Sequence, residues 1–257
     1  MLTKSKKARR HHRILTALAA NSGMTVADLA DQLTVSRQTI RRDLDELSSE
    51  GRLNRTYGGA SAPPVGQEPS MIERGKFHMQ ERTLIAERAI SLVSENDVVM
   101  LGGGLTTSVF AQQLSLSFQR LQILTNSLSV AAIMGKSGAS RVVLMPGDYD
   151  RNEACTIGAE TLEFIKKFRG DIAFIGGSGI DCNGVYEVHS GLAWVDRAMI
   201  AQCSRSVALL TADKVGSAYL EKICPLEKLS CFVTDRPIPA DMARCVQEAG
   251  VKLLTAD

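Results

Sequence analysis

Arg37, Gln38, Arg41 and Arg42 fall within six residues of one another. Arginine can pair bidentately with guanine and glutamine with adenine, so this cluster suits base edges and phosphates. Ser36 and Thr39 add hydroxyls to it, and Arg55 and Tyr57 further on can reach a phosphate backbone. A second chemistry sits in four polar or glycine-rich stretches. Gly102-Gly103-Gly104-Leu105-Thr106-Thr107 is a glycine turn opening a helix, where backbone N–H groups suit an anion. It is not the dinucleotide fingerprint, because Thr107 stands where the last glycine belongs. Thr125-Asn126-Ser127 opens another helix and reads equally as capping residues. Gly176-Gly177-Ser178-Gly179-Ile180-Asp181 and Thr211-Ala212-Asp213-Lys214 complete the set, with Lys214 able to neutralise a phosphate. Any one stretch alone reads as an ordinary turn, but the four together predict a phosphate-bearing small ligand.

The elements that must position the first cluster are short helices. Ala8 to Ala20 places Ile14, Leu15 and Leu18 on one helical face, and Asn21-Ser22-Gly23 ends it. Thr25-Val26-Ala27-Asp28 has the form of a capped start for a second helix running to Leu33. Thr34-Val35 turns the chain, Ser36 caps a third helix from Arg37 to about Glu50, and Gly51 closes it. Two short helices joined by a tight turn read as a helix-turn-helix, with the third helix as the reading element. Arg52 to Ala60 then reads as a short β-wing.

Pro63, Pro64, Gly66 and Pro69 mark a boundary, so the domains are read as 1–60, a linker 61–80, and 81–257. Beyond it, seven short apolar runs alternate with helical stretches: Val98–Leu101, Leu121–Leu124, Arg141–Met145, Ile172–Ile175, Val207–Leu210, Phe232–Thr234 and Lys252–Leu254. The fold class is therefore α/β: a winged helix-turn-helix followed by a larger domain with a mainly parallel sheet. Ligands in such sheets bind at the carboxyl ends of the strands, which is where the four loops fall.

Charge supports the division. The net charge of +2 hides a first sixty residues with 11 Lys+Arg against 6 Asp+Glu, and a remainder with 19 against 22. A basic head on an acidic body predicts nucleic-acid binding by the head alone. No apolar run is long enough to span a membrane, and His11, His12 and Arg13 stand where a signal core would be, so a cytoplasmic protein is expected. The six cysteines lack any Cys-x-x-Cys pair and read as reduced core thiols. His11, His12, His78 and His189 show no metal-ligand spacing. Neither a metal nor a cofactor is expected.

Val35-Ser36-Arg37-Gln38-Thr39-Ile40-Arg41-Arg42-Asp43-Leu44, followed by Glu50-Gly51-Arg52-Leu53-Asn54-Arg55-Thr56-Tyr57-Gly58-Gly59-Ala60, closely resembles the DeoR family of bacterial transcription regulators. The resemblance continues through Thr125-Asn126-Ser127, Gly147, Gly158, Gly176, Ser178 to Asp181, Glu187, Arg197, Lys214 and Thr234-Asp235. It implies a repressor of carbohydrate genes whose effector domain is similar to ribose-5-phosphate isomerase. Double-stranded operator DNA, a phosphorylated sugar or related anion, and a homo-oligomer (dimer or tetramer) are the implied partners. Gly147, Glu187 and Arg197 join the effector-site candidates on that ground. The chain departs from the family pattern where the first loop usually reads Asp-x-Gly-Thr-Thr: Gly102 replaces the acid and Leu105 the first threonine. Asp196 also stands where a lysine is common. These departures imply a changed or weakened ligand. An isomerase-like enzyme is the less favoured reading, since the third loop keeps one acid, Asp181, and no catalytic residue is expected. A constitutive DNA binder with an inactive sensor is a third reading.

Overall fold

The computed structural model describes residues 6–21, 23–49, 53–61, 71, 75, 78–138 and 140–256, which divide into two units, 1–77 and 78–257. Most of the expected linker, and the Glu50-Gly51-Arg52 step, lie outside the described residues.

In the first unit, α1 (Lys6–Ala20) buries Ile14, Ala17 and Leu18. Thr25 starts α2 (Val26–Leu33) through a capping box: its hydroxyl accepts from Asp28 N at 3.2 Å, and its own N–H donates to Asp28 Oδ2 at 3.0 Å. The helix stops because Thr34 turns left-handed (φ 56°) and sends its N–H back to Ala30 and Asp31 carbonyls. Ser36 then caps α3 (Arg37–Ser49), accepting from Thr39 N at 3.1 Å. Ile40, Leu44 and Leu47 of α3 pack against Leu29 and Leu33 in one core. The wing is β2 (Asn54–Thr56) and β3 (Gly59–Ser61), antiparallel. The structure adds a third strand, β1 (Met24–Thr25), paired with β3. Gly59 is required there, because a Cβ would overlap Met24 O.

In the second unit, α4 (Met79–Ala89) precedes a seven-stranded parallel sheet. Its strands are β4 (Val98–Leu101), β5 (Gln122–Thr125), β6 (Arg141–Leu144), β9 (Gly170–Ile175), β12 (Cys203–Leu209), β14 (Cys231–Thr234) and β15 (Lys252–Thr255). All seven coincide with the apolar runs of the sequence. Their order is β15-β14-β12-β9-β4-β5-β6. The chain thus starts in the middle with β4, builds outward to β6, then returns to build the other half from β9. Val99, Leu101, Ile172, Phe174, Val207 and Leu209 face one core with α4, α5 (Leu105–Ser117) and α6 (Leu128–Ser137). Their alternates Met100, Ala173, Ile175 and Ala208 face the other, against α8 (Ser190–Gln202) and α9 (Ala240–Glu248).

Antiparallel pieces decorate the carboxyl ends: β7 (Asp148–Asp150) with β8 (Cys155–Ile157), and β10 (Gly179–Asp181) with β11 (Gly184–Glu187) and β13 (Glu221–Cys224). Helix α7 (Ala159–Ile165) follows β8. The expectation that all six cysteines are reduced is corrected: Cys182 and Cys245 form a disulfide, Cα–Cα 5.3 Å. The partners are 63 residues apart in sequence, so no local pattern announces the pair. Cys155, Cys224 and Cys231 are buried free thiols, and Cys203 is half-buried. Among the described residues, no helix is long and apolar enough to cross a membrane.

Candidate functional site

Residues at the amino end of α3 lie on its solvent side. Arg37, Gln38, Arg41 and Arg42 are exposed while Ile40 and Leu44 are fully buried, so the helix period separates a basic face from the core. Ser36 and Thr39 are occupied at the cap, where their hydroxyls lie 2.9 Å apart. Tyr57 stands fully exposed at the wing tip beside Gly58 (φ 85°). Arg55 is held: its guanidinium lies 3.3 Å from Asp45 and donates to Gly59 O at 3.2 Å, which ties the wing to α3.

A second device fixes α3 that sequence reasoning missed. Asp43, nearly fully buried, accepts from Arg10 Nε at 2.5 Å and Nη2 at 2.9 Å, and lies 3.0 Å from His11 Nε2. Burial opposes the carboxylate, but these hydrogen bonds and charges prevail and hold it below its ordinary range. His11, Asp43 and Glu46 are close enough to share a cation. Arg10 and Lys7 already supply the positive charge, Lys7 lying 2.6 Å from Glu46. The arrangement is thus an ion-pair clamp between α1 and α3.

In the larger unit, the strand order reverses between β4 and β9, and a parallel sheet opens a crevice at such a switch point. The loops after these strands meet there. Gly102 N–H donates to Phe174 O at 3.0 Å, and a Cβ on Gly176 would sit 3.7 Å from Gly103 O. Gly104 (φ 129°) opens α5, with Thr107 and Ser108 hydroxyls both donating to its carbonyl, so the Thr107 hydroxyl is engaged locally. Thr106 is half-exposed at the rim. Lys214 reaches across from beyond β12 to donate to Gly177 O at 2.5 Å, placing a positive charge at the crevice.

The loop after β5 is built inward. Thr125 Oγ1 donates to Leu101 O at 2.7 Å, Ser127 caps α6, and Asn126 Nδ2 donates to Thr156 O at 2.9 Å. Asn126 Oδ1 is buried with no hydrogen-bond partner among the described residues. Ser178 Oγ donates to Glu187 Oε1 at 2.7 Å, and that oxygen also accepts from Val188 N and His189 N. Asp181 accepts from Asn183 N at 2.7 Å at the tip of the β10–β11 hairpin. Gly147 (φ 148°) serves packing, since a Cβ would overlap Thr161 Oγ1 and Ile157 O. Arg197 is not brought to the loops: it pairs with Glu221 at 2.7 Å and lines a separate cavity of about 580 Å³ beside Cys203, Ser204 and Ser206 at the amino end of β12.

Two residues outside the expected set enter the crevice. Asp196 of α8 is 3% exposed, and its Oδ1 has no hydrogen-bond partner among the described residues. Burial, then the neighbouring Glu187 charge, push its carboxyl well above the ordinary range. A Cβ on Gly102 would lie 2.5 Å from that Oδ1. His189, at the start of α8, pairs with Asp150 at 2.9 Å through Nε2 and leaves Nδ1 buried and unpaired. Cys155, next to Gly103, has its thiol pushed up by burial and by surrounding carboxylates, which disfavours its thiolate.

Residues 10–64 match the DeoR-like helix-turn-helix domain, and residues 77–236 match the DeoR C terminal sensor domain. The glycerol-3-phosphate regulon repressor of Escherichia coli is 26% identical over 249 residues, covering 96% of this chain and 98% of that one. The HTH-type transcriptional repressor GlcR of Bacillus subtilis is 29% identical over 245 residues, covering 95% and 94%. A ribose 5-phosphate isomerase A structure from Methanocaldococcus jannaschii superposes with TM-score 0.40 and 15% identity over 54% of this chain and 55% of that one.

Proposed function

The chain belongs to the DeoR family of transcriptional regulators, and on that premise we propose that it is a repressor of carbohydrate genes released by a phosphorylated sugar or related anion. One observation carries the reading: a basic reading face on α3 shares a chain with a glycine-lined crevice at the switch point of a parallel sheet. Arg37, Gln38, Arg41 and Arg42 contact operator bases and phosphates, Ser36 and Thr39 preserve the helix start, and Arg55 and Tyr57 place the wing. The effector's phosphate lies against the Gly102–Gly104 and Gly176–Gly177 backbone near Lys214, with Thr106 at the rim. Thr107, Thr125, Asn126, Ser127, Gly147, Ser178, Asp181 and Glu187 shape these loops through the bonds and close approaches they make. Arg197 acts from a different cavity.

Repression requires two heads on one operator, so the working form is a homo-oligomer, acting in the cytoplasm where the DNA is. Effector binding favours a state whose heads no longer match the half-sites. Catalysis is not part of this reading. Glu187, the carboxylate an isomerase would need as a base, accepts three hydrogen bonds on one oxygen. The test is a gel shift with the DNA upstream of the chain's own coding region, with and without a panel of phosphorylated sugars. Specific retardation abolished by one panel member supports the reading. Binding no stronger than to random DNA overturns it.

A further inference from the structure

We propose that Asp196 selects the ligand of the switch-point crevice, receiving on its Oδ1 a hydroxyl donated by the polyol end of a phosphorylated compound. The inference rests on the reading of that crevice as an effector site and names the residue that reads the effector's hydroxyls.

Three observations meet at Asp196. Its side chain comes from α8, yet its Oδ1 lies in the volume a side chain on Gly102 would take, 2.5 Å from an added Cβ. The missing side chain of the first loop and the carboxyl of α8 therefore occupy one place in the crevice. Next, Oδ1 is buried and has no partner among the described residues, a costly state that folded proteins rarely keep without a use. Last, it is not isolated. Asn126 Oδ1, at the end of β5, is a second buried acceptor without a donor. Cys155 lies between the two loops: it packs against Gly103, next to Gly102, and pairs through its backbone with Ser127, next to Asn126. The buried acceptor of Asp196 calls for a donor, and a ligand hydroxyl supplies one.

The surroundings decide which kind of donor. Burial, and then the charge of Glu187 on β11, raise the Asp196 carboxyl above its ordinary range and so oppose its ionisation. An uncharged carboxyl pairs with a neutral hydroxyl and offers little to an ammonium group. Lys214, the cation that reaches the loops, stands on Gly177 across the crevice and leaves the phosphate to that side. The ligand so described is bipolar: an anion on the glycine backbone and a hydroxyl toward Asp196.

The experiment uses the full chain and calorimetric titration with phosphorylated sugars and polyols of three to six carbons, and with inorganic phosphate alone. Asp196→Leu keeps the branched shape and removes the acceptor. It should weaken the best polyol phosphate about tenfold and leave inorganic phosphate unchanged. Asp196→Asn keeps an acceptor oxygen and should stay within about threefold of the parent. If the leucine variant does not unfold cooperatively, Asp196→Ala carries the same comparison. Equal affinity in parent and Asp196→Leu overturns the proposal, as does an equal loss for polyol phosphate and inorganic phosphate, which marks a purely structural role. If the parent binds inorganic phosphate but no polyol phosphate better, the crevice holds an anion and the role of Asp196 is overturned alone. If the parent binds no probe at all, the effector reading falls and this inference with it.

Discussion

Adding one methyl at Gly102 should force Asp196 out of place. Gly102 is not in the left-handed region, so Gly102→Ala meets no backbone penalty of its own. The added Cβ would lie 2.5 Å from Asp196 Oδ1, while Asp196 Cγ and Phe174 O stand at an ordinary 3.5 Å. The cost is therefore concentrated on one oxygen of a side chain that is 3% exposed. Overpacking of this kind costs about 1–3 kcal/mol. For a unit of this size, a loss of about 2 kcal/mol lowers the melting temperature by about 4–8 °C. The assay is thermal and urea unfolding of four proteins: parent, Gly102→Ala, Asp196→Ala and the double variant. With Asp196 truncated, Phe174 O at an ordinary 3.5 Å is the oxygen left against the methyl, and its cost should shrink to about 0.5 kcal/mol or less, a coupling of about 1 kcal/mol or more. An identical cost in both backgrounds would refute the claim that residues 102 and 196 compete for one space. So would a Gly102→Ala variant as stable as the parent.

Arg41→Ala should weaken operator binding by about 1–3 kcal/mol if Arg41 reads a base, with a uniform loss across sequences and a shallower salt slope if it holds a phosphate; electrophoretic titration at several salt concentrations separates the two. Asp43→Asn should cost the head about 2–3 kcal/mol by loosening the Arg10 clamp, seen in urea unfolding. Because the folded pKa of Asp43 is lowered, its contribution is present above the ordinary carboxylate value and lost as pH falls, so this difference should shrink in acid. Asp196 has the opposite sign. Its folded pKa is raised, the folded state holds the proton longer, and stability falls as pH rises above the ordinary value of 3.8; Asp196→Asn should therefore gain on the parent from about pH 4 upward, and a pH-independent difference counts against the assignment. Glu187, Cys155 and Cys224 are the titratable neighbours that share this field. Reduction of Cys182–Cys245 should cost about 4 kcal/mol by loop entropy for its 63-residue separation, while Cys182→Ser should melt alike with and without reductant.

Legibility in the sequence followed the range of the forces involved. The seven parallel strands are apolar on both faces, so each shows as a run of Val, Ile, Leu or Phe. The caps at Thr25 and Ser36 act over three residues and are equally plain. The small antiparallel strands β7, β8, β10, β11 and β13 are short, partly polar and stabilised by partners far along the chain, so they carry no local period. The third wing strand escaped for the same reason, because Met24–Thr25 is defined by pairing with β3 and also overlaps a cap. At the crevice, residue types drew attention to four loops but could not say which hydroxyls were already spent. Thr107, Thr125 and Ser127 each satisfy backbone groups, which only geometry reveals. Arg197 and Asp196 are adjacent in sequence yet point to different cavities, as neighbours on a helix do.

The two departures in the effector domain are best understood as a single change. The resemblance to the DeoR pattern implies an acid at residue 102 and a lysine at residue 196, where this chain has Gly102 and Asp196, and each change alone suggests a weakened site. In space they are one contact. An acid at residue 102 would require the volume Asp196 Oδ1 now fills, and Asp196 can lie there only because residue 102 has no side chain. The crevice therefore keeps one carboxyl between the glycine loop and α8 but receives it from the helix. A loop carboxyl facing a helix lysine would be charged and paired, whereas Asp196, buried beside Glu187, is held toward its neutral form without a partner on Oδ1. A paired carboxylate has already used its hydrogen-bonding capacity within the protein. A carboxyl whose Oδ1 has no partner among the described residues has kept it for the ligand, which favours an altered specificity over an inactive sensor. Gly102→Asp alone should therefore not restore a family-like site, because it sets a second carboxyl against the first; Gly102→Asp with Asp196→Lys should, and a ligand profile identical to the parent in that double variant would show that the pair does not set specificity.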